Sequence, residues 1–401
     1  MKIVGVVGMV VALTAFTVGA GEIACEDLNP EDYWDAKALY ATPSYRANPF
    51  PESDFPGLTA MLVSGMGPKG SAAEFFAYYG HPDGPMPAGG WPGIVLVHGG
   101  GGTAFPQYVR EWVGEGFAVI ALDWYNQRPA MGLTNVPPSE VSVPRVSLPG
   151  GRRQDHIANV ANIVLSHSLL RSFREVDAKR TAYVGLSWGS WYGACVAAVD
   201  GRFSGGCLIY LGDRDGGAST DPKSNGFVRG HFHKHIKIPL WWIAFAKEQN
   251  GTPHSLTAGW RDCPRCEGVT IVHNLWHSHE GFQVGAVKRM ASYFTGVGRR
   301  LPKLALGRVE GRRAVADIID PGLGVDNALL WYSTDAEATS LEPSVSSKAN
   351  WQSSPAEISG GRVAADIPAG AKVVYLSAYE RNQPDSHRNY MCGSSAFLFV
   401  E

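Results

Sequence analysis

Between Leu58 and Glu280, short apolar runs rich in β-branched residues alternate with longer stretches whose apolar residues recur at helical spacing. That alternation predicts an α/β unit, a mainly parallel sheet with helices on both faces. The predicted strands are Ile94 to Val97, Phe117 to Leu122, Ala182 to Val184, Cys207 to Leu211, Leu240 to Phe245 and Val269 to Val272. Asp155 to Ser172 places Ile157, Val160, Ile163, Val164 and Leu169 at helical spacing, so it is predicted as the crossover helix before Ala182. Trp188 to Val199 and Gln283 to Phe294 read as further helices. Asn126 to Gly151, rich in Pro, Gly and Ser, reads as an irregular loop with room to shape a pocket.

Past the basic, Pro-containing stretch Arg299 to Gly307 the pattern changes to short strands separated by turns. Ala328 to Ser333, Gly361 to Asp366, Lys372 to Ser377 and Ser395 to Val400 have the spacing of a small antiparallel sandwich. A boundary near Ala305 follows, with the α/β unit over 21–305 and the sandwich over 306–401. The 401 residues are more than one core comfortably serves, which agrees with two units.

Met1 to Ala20 starts with Lys2, runs apolar from Ile3 to Val18 and ends in Val18-Gly19-Ala20, the layout of a signal peptide cleaved after Ala20. The expected location is secreted or periplasmic, with no stable membrane insertion after cleavage. A retained anchor is the alternative, although the run is at the short end of the ~20 apolar residues a span needs. Glu22-Ile23-Ala24 before Cys25 is a poor lipoprotein site, so lipidation is not expected. A formal net charge of -2 offers no field for nucleic acid or a membrane surface, and points to a small or neutral partner.

Six cysteines in an exported chain could pair. Cys263-Pro-Arg-Cys266, in the polar stretch Gly259 to Gly268, is expected to form a local disulfide rather than half a zinc site, because no second such pair completes a ligand set. Cys195 reads as a buried free thiol. His231, His233 and His235 would share a face if extended, but no Asp, Glu or Cys rounds out the set, so no metal and no cofactor is expected.

Gly185-Leu-Ser187-Trp-Gly189 fits G-x-S-x-G and sits between a predicted strand and a predicted helix, where a sharp turn would project the Ser187 hydroxyl above the sheet. His98-Gly-Gly-Gly-Gly102 follows strand Ile94 to Val97, and its unobstructed amides could hold an oxyanion; Gly100 and Gly101, with Trp188 N–H at a helix start, are the candidate donors. A base should follow the last strand, where His273, His277 and His279 stand; His277 is favoured, with His279 second. The acid should follow Leu240 to Phe245, which selects Glu248 ahead of Asp213 or Asp215. Trp124, Tyr125, Trp191, Tyr192 and Trp276 lie near predicted loop ends and could stack on a sugar or aromatic acyl group, or equally fill a core.

With those pieces in place, the chain from about Glu74 onward resembles the acetylxylan esterase and dienelactone hydrolase group of α/β-hydrolases, in particular secreted bacterial acetylxylan esterase-like members with a C-terminal sandwich. The resemblance rests on Val95-Leu-Val-His-Gly-Gly-Gly-Gly-Thr-Ala104, Gly114-Glu-Gly-Phe-Ala-Val-Ile-Ala-Leu-Asp123, Val184-Gly-Leu-Ser-Trp-Gly-Ser190, Val199-Asp-Gly-Arg-Phe203, Ile238-Pro-Leu-Trp-Trp242 and His277-Ser-His279. Related sequences usually carry Gly and Asp where this chain has Phe245 and Glu248, and the Cys263 to Cys266 stretch looks particular to it. The resemblance implies metal-free removal of acetyl or similar acyl groups from a carbohydrate, a small-molecule or polysaccharide ester, by Ser187, Glu248 and a histidine of His277-Ser-His279. A dienelactone hydrolase or a peptidase on the same triad is the first alternative, and a carbohydrate-binding protein with a disused elbow is the second.

Overall fold

In the computed structural model, residues 27–130, 143–210, 231–273, 275–380 and 386–400 are described. The signal segment Met1 to Ala20, Cys25, the strand end Leu211, the competing acids Asp213 and Asp215 and part of the Asn126 to Gly151 loop lie outside them. In chain order the strands of the first half are β1 (Tyr45–Ala47), β2 (Thr59–Met66), β3 (Ala72–Gly80), β4 (Trp91–Val97), β5 (Ala118–Leu122), β6 (Gln127–Pro129), β7 (Arg145–Ser147), β8 (Val176–Leu186), β9 (Gly205–Ile209), β10 (Leu240–Phe245) and β11 (Cys266–Val272). The helices are α1 (Ala36–Leu39), α2 (Pro106–Gly114), α3 (His156–Leu170), α4 (Trp188–Val199), α5 (Pro253–Asp262) and α6 (Gly285–Phe294).

These strands form one sheet in the order β1-β2-β3-β5-β4-β8-β9-β10-β11, while β6 and β7 make a separate hairpin. From β5 to β11 the pairing is parallel, and β1, β2 and β3 add antiparallel strands at one side. The chain moves from β4 outward to β5, then crosses back over β4 to β8. In open α/β sheets a site forms where such crossovers diverge, beyond the carboxyl ends of the strands, and the loops leaving β4 and β8 there are His98 to Gly102 and the Ser187 turn.

Period-two alternation splits each central strand between two cores. Val95 and Val97 of β4, with Ile120 and Leu122 of β5, pack under α3 and α4 beside Val160, Ile163 and Val196. Ile94, Leu96, Val119 and Ala121 face the other way, toward Val109 and Trp112 of α2 and Val287 and Met290 of α6. Burying each Val, Ile, Leu or Met among them contributes about 1.5–3 kcal/mol. Helix α3 starts where its cap dictates, the Asp155 carboxylate accepting the Ala158 amide at 2.9 Å.

The chain continues through β12 (Lys303–Leu304), β13 (Arg308–Glu310), β14 (Arg313–Asp320), β15 (Asn327–Ser333), α7 (Pro343–Ser346), β16 (Gln352–Pro355), β17 (Glu357–Ser359), β18 (Arg362–Asp366), β19 (Val373–Tyr379), β20 (Cys392–Ser394) and β21 (Leu398–Phe399). Ala314, Ala316, Val363 and Ala365 of β14 and β18 face Ala328, Leu330, Val374 and Leu376 of β15 and β19 across an apolar layer, which makes a sandwich. One layer of that sandwich is the main sheet itself: β20 pairs antiparallel with β11, and β19, β15 and β16 follow outward. The reverse faces of β15 and β19 send Trp331 and Tyr375 into the α3–α4 core. The architecture is an α/β-hydrolase sheet continued into an all-β sandwich.

Several local expectations are corrected. Ser395 to Val400 is not one strand: β20 ends at Ser394 and β21 begins at Leu398, and each pairs with a different stretch of β19. The polar stretch Gly259 to Gly268 is the end of α5, whose Thr252–Ser255 capping box the sequence does contain, a turn, and the start of β11. Cys263 and Cys266 are free thiols, packed in and against the same core as small apolar groups. Burial pushes the Cys266 thiol up to about 12, so it is a poor nucleophile. Among the described residues no helix is long and apolar enough to cross a membrane.

Candidate active site

Ser187 links β8 to α4 with φ 55° and ψ −115°, a region non-glycine residues rarely occupy and which costs roughly 1–3 kcal/mol. Surrounding bonds hold it there. Its N–H donates to Ile209 O at 2.9 Å, and its carbonyl accepts from Ser190 N–H at 2.8 Å and Trp191 N–H at 3.1 Å. The flanking glycines are required by space. A Cβ on Gly189 would stand 2.2 Å from Val97 O, and one on Gly185 would stand 2.3 Å from Gly189 O. Gly189→Ala is therefore expected to destabilise the fold by about 3 kcal/mol, the upper end for overpacking, because the obstacle is backbone and cannot rotate away. A urea midpoint unchanged from that of the parent would contradict this.

The structure brings Ser187, His277 and Glu248 together. His277 Nε2 is 2.9 Å from Ser187 Oγ, and His277 Nδ1 is 2.9 Å from Glu248 Oε1. The three come from the ends of β8, β10 and β11. Glu248 is buried, and its Oε1 also accepts the Asn250 amide N–H at 2.9 Å. Tyr210, at the end of β9, stacks on the His277 ring at 4.5 Å, and its hydroxyl donates to Trp276 O at 2.6 Å, which pins the base's loop. Sequence reasoning missed Tyr210 and Asn250; a tyrosine just past a strand end and an asparagine two residues after an acid carry no recognisable motif. Ser187 is 7% exposed and the His277 side chain 20%, so the pair is reachable but sheltered.

The glycine loop lies directly against this relay. Gly102 N–H donates to Gly99 O at 3.1 Å and Gly101 has φ 73°, a turn whose third position favours glycine. A Cβ on Gly99 would stand 2.9 Å from Ser187 Cβ, and one on Gly100 would stand 2.8 Å from Trp188 Cδ1. Among the described residues the Gly100 and Gly101 amides have no backbone acceptor. Trp188 opens α4, where helix geometry leaves the N–H unused and the dipole favours negative charge. Trp188 follows Ser187 directly and the glycine loop packs against both residues, so these amides are the candidate oxyanion donors.

His279 is not on the nucleophile. Its Nε2 accepts the Gly99 N–H at 3.1 Å, and its ring packs on Phe105 at 4.5 Å. Burial pushes its pKa down to about 3, so it is neutral. His273 follows β11 directly and stacks on Trp331 at 4.1 Å. His231 and His233 are buried, and His235 pairs with Asp27 at 3.1 Å. Of the five aromatics, Trp124, Tyr125 and Tyr192 are core residues and Trp191 is half-buried, whereas Trp276 is 72% exposed beside His277.

A nucleophile, a base on it, a buried acid behind the base and amides opposite can together form and break an acyl-serine. No family model matches the chain, and no curated protein matches it. Among solved structures it is similar to an acetyl xylan esterase from Paenibacillus sp. R4, with 18% identity over 68% of this chain and 96% of that one and a TM-score of 0.48. It is also similar to acetyl xylan esterase 1 from a Thermoanaerobacterium species (16%, 65% and 91%, TM-score 0.41) and to an acylaminoacyl peptidase from Pyrococcus horikoshii (14%, 59% and 40%, TM-score 0.39).

Proposed function

We propose that this chain is a serine hydrolase that cleaves carboxylic esters, with acetyl groups on a carbohydrate as its substrate class. The observation that carries the reading is the unbroken relay Ser187 Oγ, His277 and Glu248, at 2.9 Å for each link. His277 takes the Ser187 proton as Oγ attacks the ester carbonyl, and Glu248 holds the imidazole and stabilises its charged form. The tetrahedral oxyanion rests on Trp188 N–H and on Gly100 or Gly101 N–H. His277 then returns the proton to the departing alcohol, and water, activated by the same imidazole, releases acetate from the serine.

The acetyl-ester assignment rests on the sequence resemblance quoted above. Exposed Trp276 beside the base agrees with it, because an indole face suits a sugar ring. The test is a substrate panel of acetylated xylan, p-nitrophenyl acetate, a dienelactone and aminoacyl amides, with fluorophosphonate labelling run alongside. Stoichiometric labelling of Ser187 and preferred turnover of acetyl esters are expected. Turnover of the amides or the lactone alone would replace the substrate class, and a folded sample that refuses the label would remove the enzyme reading.

A further inference from the structure

Two imidazoles grip Gly99 of the glycine loop, one on its carbonyl and one on its N–H, and the second comes from the segment that delivers the base. The Gly99 carbonyl lies 2.8 Å from His98 Nδ1, and the Gly99 N–H donates to His279 Nε2 at 3.1 Å. His98 Nε2 accepts the Trp124 N–H at 3.4 Å, which leaves the proton on Nδ1 to donate to Gly99 O. Burial holds both rings neutral, each pushed down to about 3. Neutrality matters because His279 accepts through Nε2, and a proton there would set N–H against N–H.

We propose that His279 is a positioning residue for the oxyanion site: by fixing the Gly99 amide, it aims the Gly100 and Gly101 N–H groups toward the space above Ser187. This deepens the esterase reading and rests on it. The placement explains why the loop tolerates no side chain nearby, since a Cβ on Gly102 would stand 2.6 Å from His279 Nε2 and 2.8 Å from His98 Nδ1. It also ties two halves of the site together. His277 and His279 are two residues apart, so one short segment sets both the base and the donors opposite it, and motion of that segment would disturb them in concert.

The experiment compares His279→Leu, which fills the space without an acceptor, with His279→Gln, whose carbonyl oxygen reaches the same amide. On p-nitrophenyl acetate, His279→Leu is expected to lose about 10²-fold in kcat, as when one oxyanion donor is removed, with KM within about threefold. His279→Gln is expected to recover to within about tenfold of the parent, with an unchanged pH profile of kcat/KM. Backbone amide exchange gives a readout without turnover: Gly99 N–H protected in the parent and in His279→Gln, and released in His279→Leu. A parent in which Gly99 exchanges freely, a fully active His279→Leu, or a His279→Gln no better than Leu would overturn the inference, and if His279→Leu does not fold, the Gln variant and the parent exchange still decide. An active Ser187→Ala would instead sink the esterase reading, so the two failures are distinguishable.

Discussion

Alanine in place of His277 is expected to lower kcat on a soluble acetyl ester by on the order of 10⁶-fold, as much as Ser187→Ala, with the double variant no slower than either. The two residues act through one contact. The serine hydroxyl is a weak nucleophile until a base accepts its proton, and the imidazole 2.9 Å away is the group in reach. Once either partner is missing, removing the other changes little, so the effects do not add. Glu248→Gln should cost less, on the order of 10⁴-fold, because the base survives but loses the buried carboxylate that fixes its tautomer and balances its charge. Steady-state kcat for the three single variants and one double checks the ranking. Near-parental turnover by His277→Ala would end the mechanism, and strict multiplicativity in the double would mean that the two do not share a step.

How far the sequence leads depends on whether a feature is local. G-x-S-x-G between a strand and a helix specifies a turn, and the glycines either side are needed for the approach of β8 and α4 to Val97. Helix Trp188 to Val199 is read at its observed limits, since its period and its neighbours agree. Glu248 and His277 are placed by chain order alone, and their meeting requires the β9, β10 and β11 registers, which no single segment encodes. His279 shows the limit most clearly. By spacing it competes with His277 for the same task, and only the fold turns it toward Gly99, 180 positions earlier in the chain. Continuation of the sheet from β11 into β20 is hidden for the same reason, because a three-residue strand near the C-terminus carries no pairing signal.

Acidification is expected to unfold the chain between about pH 5 and 4, before most carboxylates are protonated. Four buried histidines are held neutral by desolvation, His98 and His279 at about 3 and His156 and His167 at about 4. In the unfolded chain each titrates near 6.5, so below that pH the unfolded state binds protons the folded state refuses, and stability falls as pH falls. Asp123 works the other way. Burial pushes it up to about 6, so between about 6 and 3.9 the folded state holds its proton and gains stability on acidification. Four losses against one gain leave about three protons, or roughly 3 to 4 kcal/mol per pH unit.

Native stability is typically 5–15 kcal/mol, so two or three pH units suffice to exhaust it. Asp200 adds a last step. Paired with Arg202 and His167, it is held well below the usual carboxylate range, so its contribution persists above about pH 3.9 and is lost only below that. The check is the urea midpoint from pH 7 to 4. It should decline steeply below 6.5, and more gently in His156→Gln, where the amide can keep a bond to the Tyr192 hydroxyl that His156 now holds at 2.9 Å but has no proton to gain. A flat midpoint down to pH 4.5 would show that these rings are protonated in the fold. That result would also remove the neutral acceptor on which the Gly99 clamp depends, because His279 is among them.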